Sequence, residues 1–131
     1  MFIDANIFID AKLSSSREGQ SCVALLRKIN SGEQNAVTSP LVLNEVLYTI
    51  NGLRGLDAAE RAWNNIQHIN NLSILPIDQK VMAHVIGYMK SGLEPQDAFH
   101  AATMKANGIH TICTYDKGFD KILGIKRIEP K

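Results

Sequence analysis

Met1-Phe2-Ile3-Asp4 is a run of three apolar residues closed by an acid. A run so short and continuous reads as a strand buried on both faces, with Asp4 at its carboxyl end. Outward from it, Ala36-Val37-Thr38, Ser73-Ile74-Leu75, Thr111-Ile112-Cys113 and Ile125 to Ile128 read as four more strands. Longer amphipathic stretches separate most of them. Ser15-Ser16-Arg17-Glu18 has capping-box spacing, Ser15 to Glu18, and opens a helix with Cys22, Leu25, Leu26 and Ile29 inward, stopped near Gly32. Ser39-Pro40 is a cap followed by proline at the first helical position, and Val42, Leu43, Val46, Leu47 and Ile50 face inward from that helix. Asp57 and Glu60 form a second capping pair, ahead of Ala59, Ala62, Trp63, Ile66 and Ile69. Asp78 caps a helix with Val81, Met82, Val85, Ile86 and Met89 inward, ended by Gly92. Pro95 sits in the first turn of the next helix, which stops at Gly108, and a short helical turn surrounds Phe119. Short apolar strands separated by helices predict an α/β fold: a parallel sheet covered on both faces.

The 131 residues predict one domain, 1–131, large enough to bury a core without disulfides or a structural metal. Fourteen Lys and Arg against thirteen Asp and Glu leave a net charge of +1, so a nucleic-acid partner would need a local patch or metal ions to hold its phosphates. Cys22 and Cys113 have no Cys or His neighbour at metal-finger spacing and read as reduced and packed, which fits a cytoplasmic protein. The first residues are interrupted by Asp4 and Asp10 and lack a basic start, so they do not read as a signal peptide. No run is long enough to span a membrane.

In sheets of this kind ligands sit beyond the carboxyl ends of the strands, where strand order reverses. Four acids fall where that rule directs attention. Asp4 ends the first strand and Asp116 lies just past the fourth; Asp97 is in the first turn of a helix, and Glu45 is on the second turn of the helix after the second strand. Each has a plainer reading alone. Asp4 caps a helix starting at Ala5, Glu45 belongs to a solvated stripe with Asn44, Tyr48 and Thr49, Asp97 answers the helix dipole, and Asp116 is a turn residue. Their joint placement is what needs explaining. Two carboxylates about 4 Å apart repel by about 4 kcal/mol at an effective dielectric of about 20. Several together require protons or a cation, and an oxygen-rich set suits Mg²⁺ or Mn²⁺. Such ions bridge to phosphate oxygens and activate water.

The segment Phe2-Ile3-Asp4-Ala5-Asn6, the helix from Ser39-Pro40 to Leu43-Asn44-Glu45, the stretch Leu93-Glu94-Pro95-Gln96-Asp97-Ala98-Phe99-His100-Ala101-Ala102 and the motif Thr114-Tyr115-Asp116-Lys117-Gly118-Phe119 together resemble the PIN domains, and within them the small VapC-like toxins. The resemblance covers essentially the whole chain. It implies a three-layer fold with a five-stranded parallel sheet in the order 3-2-1-4-5. It implies RNA as substrate, Mg²⁺ or Mn²⁺, and cleavage by metal-activated water. It also implies a homodimer and an antitoxin lying across the active-site groove. By position, Asp4, Glu45, Asp97 and Asp116 would hold metal, with Asn6 and Thr114 as supporting groups and Asp120 as an optional fifth acid whose plainer partner is Lys117 or Lys121. Ala5 stands where the family often has a hydroxyl residue. His100, one turn from Asp97, reads as packed rather than ligating; His68, His84 and His110 share no spacing, and Met82, Met89 and Met104 read as core filler.

Three alternatives stand beside this reading. One is an RNA-processing nuclease of the same fold that is no toxin. Another is a haloacid-dehalogenase-like phosphatase with Asp4 as nucleophile, which would want an aspartate where Asn6 stands. The third is a catalytically silent binding module.

Overall fold

A computed structural model describes residues 1–131. The elements in chain order are β1 (Phe2–Ile3), α1 (Ala5–Leu13), α2 (Arg17–Asn30), β2 (Ala36–Thr38), α3 (Pro40–Arg54), α4 (Leu56–Gln67), β3 (Leu72–Ile74), α5 (Gln79–Lys90), α6 (Pro95–Ala106), β4 (Thr111–Cys113), a 3₁₀ turn (Lys117–Lys121) and β5 (Lys126–Ile128). The five strands form one sheet in the order β3-β2-β1-β4-β5, and every neighbouring pair is parallel. The six α-helices flank it, α1 against α2, α3 against α4 and α5 against α6.

Strand β1 lies in the middle of the sheet and is wholly buried, as its unbroken apolar sequence requires. The chain builds outward from β1 to β3 on one side, then crosses to place β4 on the other. The reversal therefore falls between β1 and β4. Ile3 pairs with Cys113 there, and the Asp4 N–H donates to the Cys113 carbonyl at 3.2 Å. Asp4 and Thr114 are thus the next residues on two adjacent strands, at one rim by backbone register alone. The edge strands are less buried than their apolar letters imply: Ser73 and Ile74 of β3 are exposed.

One core of 28 apolar residues joins the sheet to the helices, with Phe2, Ile7, Ile29, Ile50, Met104, Ile112 and Phe119 fully enclosed. No helix is long and apolar enough to cross a membrane.

Several local expectations are corrected. The α2 cap is Ser16, whose Oγ accepts from the Gly19 N–H at 3.2 Å, and not Ser15. The start is set by close packing, since a Cβ on Gly19 would meet the Ser14 carbonyl oxygen at 2.2 Å. Helix α4 has no Asp57 cap. Gly55, at φ 87°, ends α3 and begins α4 in a single residue, and Asp57 lies inside the first turn. Trp63, Met82, Ile86 and Met89 were expected inward but are exposed, because α4 and α5 lie at the periphery and their apolar faces are wider than the surface that covers them. Met104 alone of the three methionines fills the core.

Candidate active site

The rim beyond β1 and β4 is built by four separate elements. Asp4 follows β1 and is only 4 % exposed. Its Oδ1 accepts the Ala5 N–H at 2.8 Å, capping α1, and its Oδ2 accepts the Thr114 hydroxyl at 2.7 Å. The helix-cap reading and the site reading of Asp4 therefore hold together. Thr114, fully buried, uses its whole hydrogen-bonding capacity: it donates to Asp4 and accepts from the Asn6 amide at 2.8 Å and the Asp116 N–H at 3.1 Å. Asn6 also reaches Asp4 Oδ2 at 3.4 Å, and its Oδ1 accepts the Tyr115 N–H at 3.3 Å. Asp4 is thereby locked in place by neutral donors, with no Lys or Arg paired to it.

The other three acids meet Asp4 from helices and a loop. Glu45 comes from α3, Asp97 from the first turn of α6, and Asp116 from the turn after β4, where its Oδ1 also caps the Gly118 N–H at 2.8 Å. Asp97 is half-buried, and its carboxyl is pushed up to about 7, first by burial and then by the charges of Asp116, Asp4 and Glu45. Glu45 is also raised, by burial and then by Asp4, while the Gln96 amide pulls the other way before a smaller push from Asp116. Asp97 thus feels all three of the others, and Glu45 feels two of them. The structure brings Asp4, Glu45, Asp97 and Asp116 together as one electrostatic unit.

Asp120 is not part of that unit's hydrogen bonding. Its Oδ1 accepts from Arg127 Nε at 2.8 Å, and Arg127 Nη1 binds Glu129 at 2.7 Å. The partner is Arg127, not the neighbouring lysines, because β5 brings that residue alongside the 3₁₀ turn.

His100 is packed as its sequence reading has it, while Gln96 and Tyr115 gain a place that the sequence alone did not give them. His100 is packed, 1 % exposed, with its ring 5.5 Å from that of Phe2. Its Nε2 lies 3.6 Å from Asp4 Oδ1, beyond hydrogen-bond length. Burial lowers its basicity, the Asp4 charge pulling the other way. Gln96 stands beside Glu45, and Tyr115 ties the rim to α2 by donating to the Glu18 carbonyl at 3.2 Å. The i, i+3 spacing of Asp97 and His100 was the one signal in the sequence.

The donor set fits a hard divalent cation: oxygen-rich, short of positive charge and partly desolvated. Cysteine chemistry does not fit, since Cys113 is buried and its thiol is pushed up to about 12 by burial.

The PIN domain family model matches residues 1–124. The chain belongs to the PIN domain family. Among curated relatives, the VapC ribonuclease Mb1869c of Mycobacterium bovis is 27 % identical over 132 aligned residues, covering 98 % of each chain. Solved PIN-like structures share the fold at lower identity. The VapBC2 complex of Rickettsia felis, bound to a DNA fragment from its promoter, superposes with a TM-score of 0.76 at 16 % identity, over 99 % of this chain and 98 % of the other. VapC20 of Mycobacterium tuberculosis, described as a toxin cleaving the sarcin-ricin loop, gives 0.73 at 17 % identity over 91 % and 92 %. For this PIN domain, strand order and parallel sheet are as the sequence resemblance implied.

Proposed function

We propose that this PIN domain is an endoribonuclease that hydrolyses RNA with Mg²⁺ or Mn²⁺ held by Asp4, Glu45, Asp97 and Asp116. The observation that carries the reading is the convergence of these four acids at the β1–β4 reversal, with Asp97 pushed up to about 7 by its neighbours. A cluster so arranged needs a cation when ionised. When bound, a divalent cation supplies Lewis-acid stabilisation of phosphate charge and a more acidic water. The residues do the rest. Thr114 and Asn6 hold the Asp4 carboxylate in one orientation, so its oxygens are not free to turn away. The Gln96 amide favours the charged form of Glu45, and the Gly118 N–H steadies Asp116. Asp97 is able to hold a proton near neutral pH and, ionised, would be one of the residues holding the ion.

RNA as the substrate rests on the curated relatives, which are named as ribonucleases. The toxin role and an antitoxin partner rest on the structural neighbours from toxin–antitoxin complexes, and a homodimer rests on the family resemblance alone. We read residues 1–131 as one working unit acting in the cytoplasm, where such a substrate is found.

The test is incubation of the purified chain with structured and single-stranded RNA, with Mg²⁺, with Mn²⁺ and with chelator. Cleavage that needs an ion and is lost in Asp97→Asn is expected. A chain that cleaves nothing and binds neither ion overturns the reading.

A further inference from the structure

We propose that His100 Nε2 is a ligand to the same divalent cation as Asp4 and Glu45, making a mixed nitrogen–oxygen site that holds Mn²⁺ in preference to Mg²⁺. The inference rests on the metal-dependent reading above and adds to it a ligand and a choice of ion.

His100 is 1 % exposed, yet neither ring nitrogen has a hydrogen-bond partner. A buried polar atom without a partner is costly, and here there are two on one ring. Asp4 and His100 approach each other at this rim with no hydrogen bond between them. Nε2 points at Asp4 Oδ1 across 3.6 Å, too far for a hydrogen bond. Two donors each about 2.1 Å from one ion lie roughly 3 to 4.2 Å apart, according to the angle between them. The observed gap falls within that range. Glu45 closes the group, since one ligand atom from each of Asp4, Glu45 and His100 lies within 4.8 Å of the others. An ion there would satisfy Nε2 and leave one unpaired ring atom in place of two.

The surroundings hold the ring in this pose. Phe2 packs against it, and α6 fixes its backbone through the fully buried Ala101 and Ala102. Asp4 cannot swing to meet it, because Ala5 and Thr114 already hold both of its oxygens. The gap is therefore a property of the fold. Imidazole nitrogen is a borderline donor that first-row transition ions accept and that Mg²⁺, with its demand for oxygen, does not.

The experiment uses the full chain with Mn²⁺ alone and Mg²⁺ alone. Pulsed electron paramagnetic resonance on bound Mn²⁺ should show coupling to a directly bound nitrogen. In protein grown on ¹⁵N-histidine that signal should change to the ¹⁵N pattern, with no substitution needed. In His100→Gln it should vanish, and the Mn²⁺-to-Mg²⁺ affinity ratio should fall by about tenfold. Bound Mn²⁺ without nitrogen coupling, or coupling that survives in His100→Gln, overturns the proposal. If that chain still cleaves RNA, the ribonuclease reading stands without it. If nitrogen-bound Mn²⁺ is seen but RNA is untouched, the ligand assignment stands and the ribonuclease reading falls.

Discussion

Asp4 and Asp97 share one rim and are held there by opposite means. Asp4 sits between two strands, 4 % exposed, with neutral donors on both oxygens. Asp97 sits on the first turn of a helix, half-buried, and the charges around it are those of other carboxylates. The strand side is pre-organised by hydrogen bonds. The helix side stores repulsion that a proton or a cation relieves. A site of this design has a rigid half that sets geometry and a half whose energy depends on occupancy.

The contrast breaks most readily at Asp97. Asp97→Asn should lower RNA cleavage by more than about a hundredfold, since loss of a ligand exceeds the usual cost of losing a supporting group. The same change should stabilise the metal-free protein, because it removes a charge held against its neighbours. Equal cleavage by the variant would take Asp97 out of the site; a loss of metal-free stability would refute the stored repulsion.

Thr114→Val probes the rigid half. It keeps the shape but strips Asp4 of a donor, leaves the Asp116 N–H without an acceptor, and leaves the Asn6 amide only its longer contact to Asp4 Oδ2. The expected cost is about 1–3 kcal/mol in denaturant unfolding, with cleavage reduced about 10- to 100-fold. A variant as stable and active as the parent would mean that Asp4 needs no such orientation.

The pH dependence sharpens the same comparison. The folded state raises Asp97 from its ordinary 3.8 to about 7, so the folded protein binds this proton more tightly than the unfolded one does. Its unfavourable contribution is absent at pH below the ordinary value, grows as pH rises toward 7, and is complete above it. In metal-free protein, the stability deficit of the parent relative to Asp97→Asn should therefore widen across that window. Mn²⁺ added above it should close the gap. Thermal melts at several pH values, with and without ion, check both; a deficit that does not change with pH would break the argument.

The smallest effect is expected at Asp120. Asp120→Asn removes an exposed partner of Arg127, which keeps Glu129. Stability should move by less than about 0.5 kcal/mol and cleavage should be unchanged. A marked loss of cleavage would return Asp120 to the site as a fifth acid.

Much of this was legible in the letters. Short apolar runs alternating with capped amphipathic helices specify a parallel sheet, and Ser39 and Asp78 cap the helices their spacing marked. The caps at Ser15 and Asp57 were misplaced because close backbone approach at Gly19 and a one-residue reversal at Gly55 outweighed local capping preference. Periodicity also assigned Trp63, Met82, Ile86 and Met89 inward, since a stripe of apolar residues says which way a helix can face but not how much of that stripe another element covers.

By itself, the sequence determined which residues could form strands and helices, and that three acids sit at element ends, with Glu45 on a second helical turn, where a reversal point would gather them. The tertiary structure alone decided that Thr114 and Asn6 touch Asp4, that Arg127 takes Asp120, and that His100 faces Asp4 with no partner of its own. The reason is range. Capping and periodicity act within a few residues of the chain, whereas hydrogen bonds and charge repulsion act across a few ångströms of space, and residues 4 and 114 become neighbours only when β1 and β4 pair.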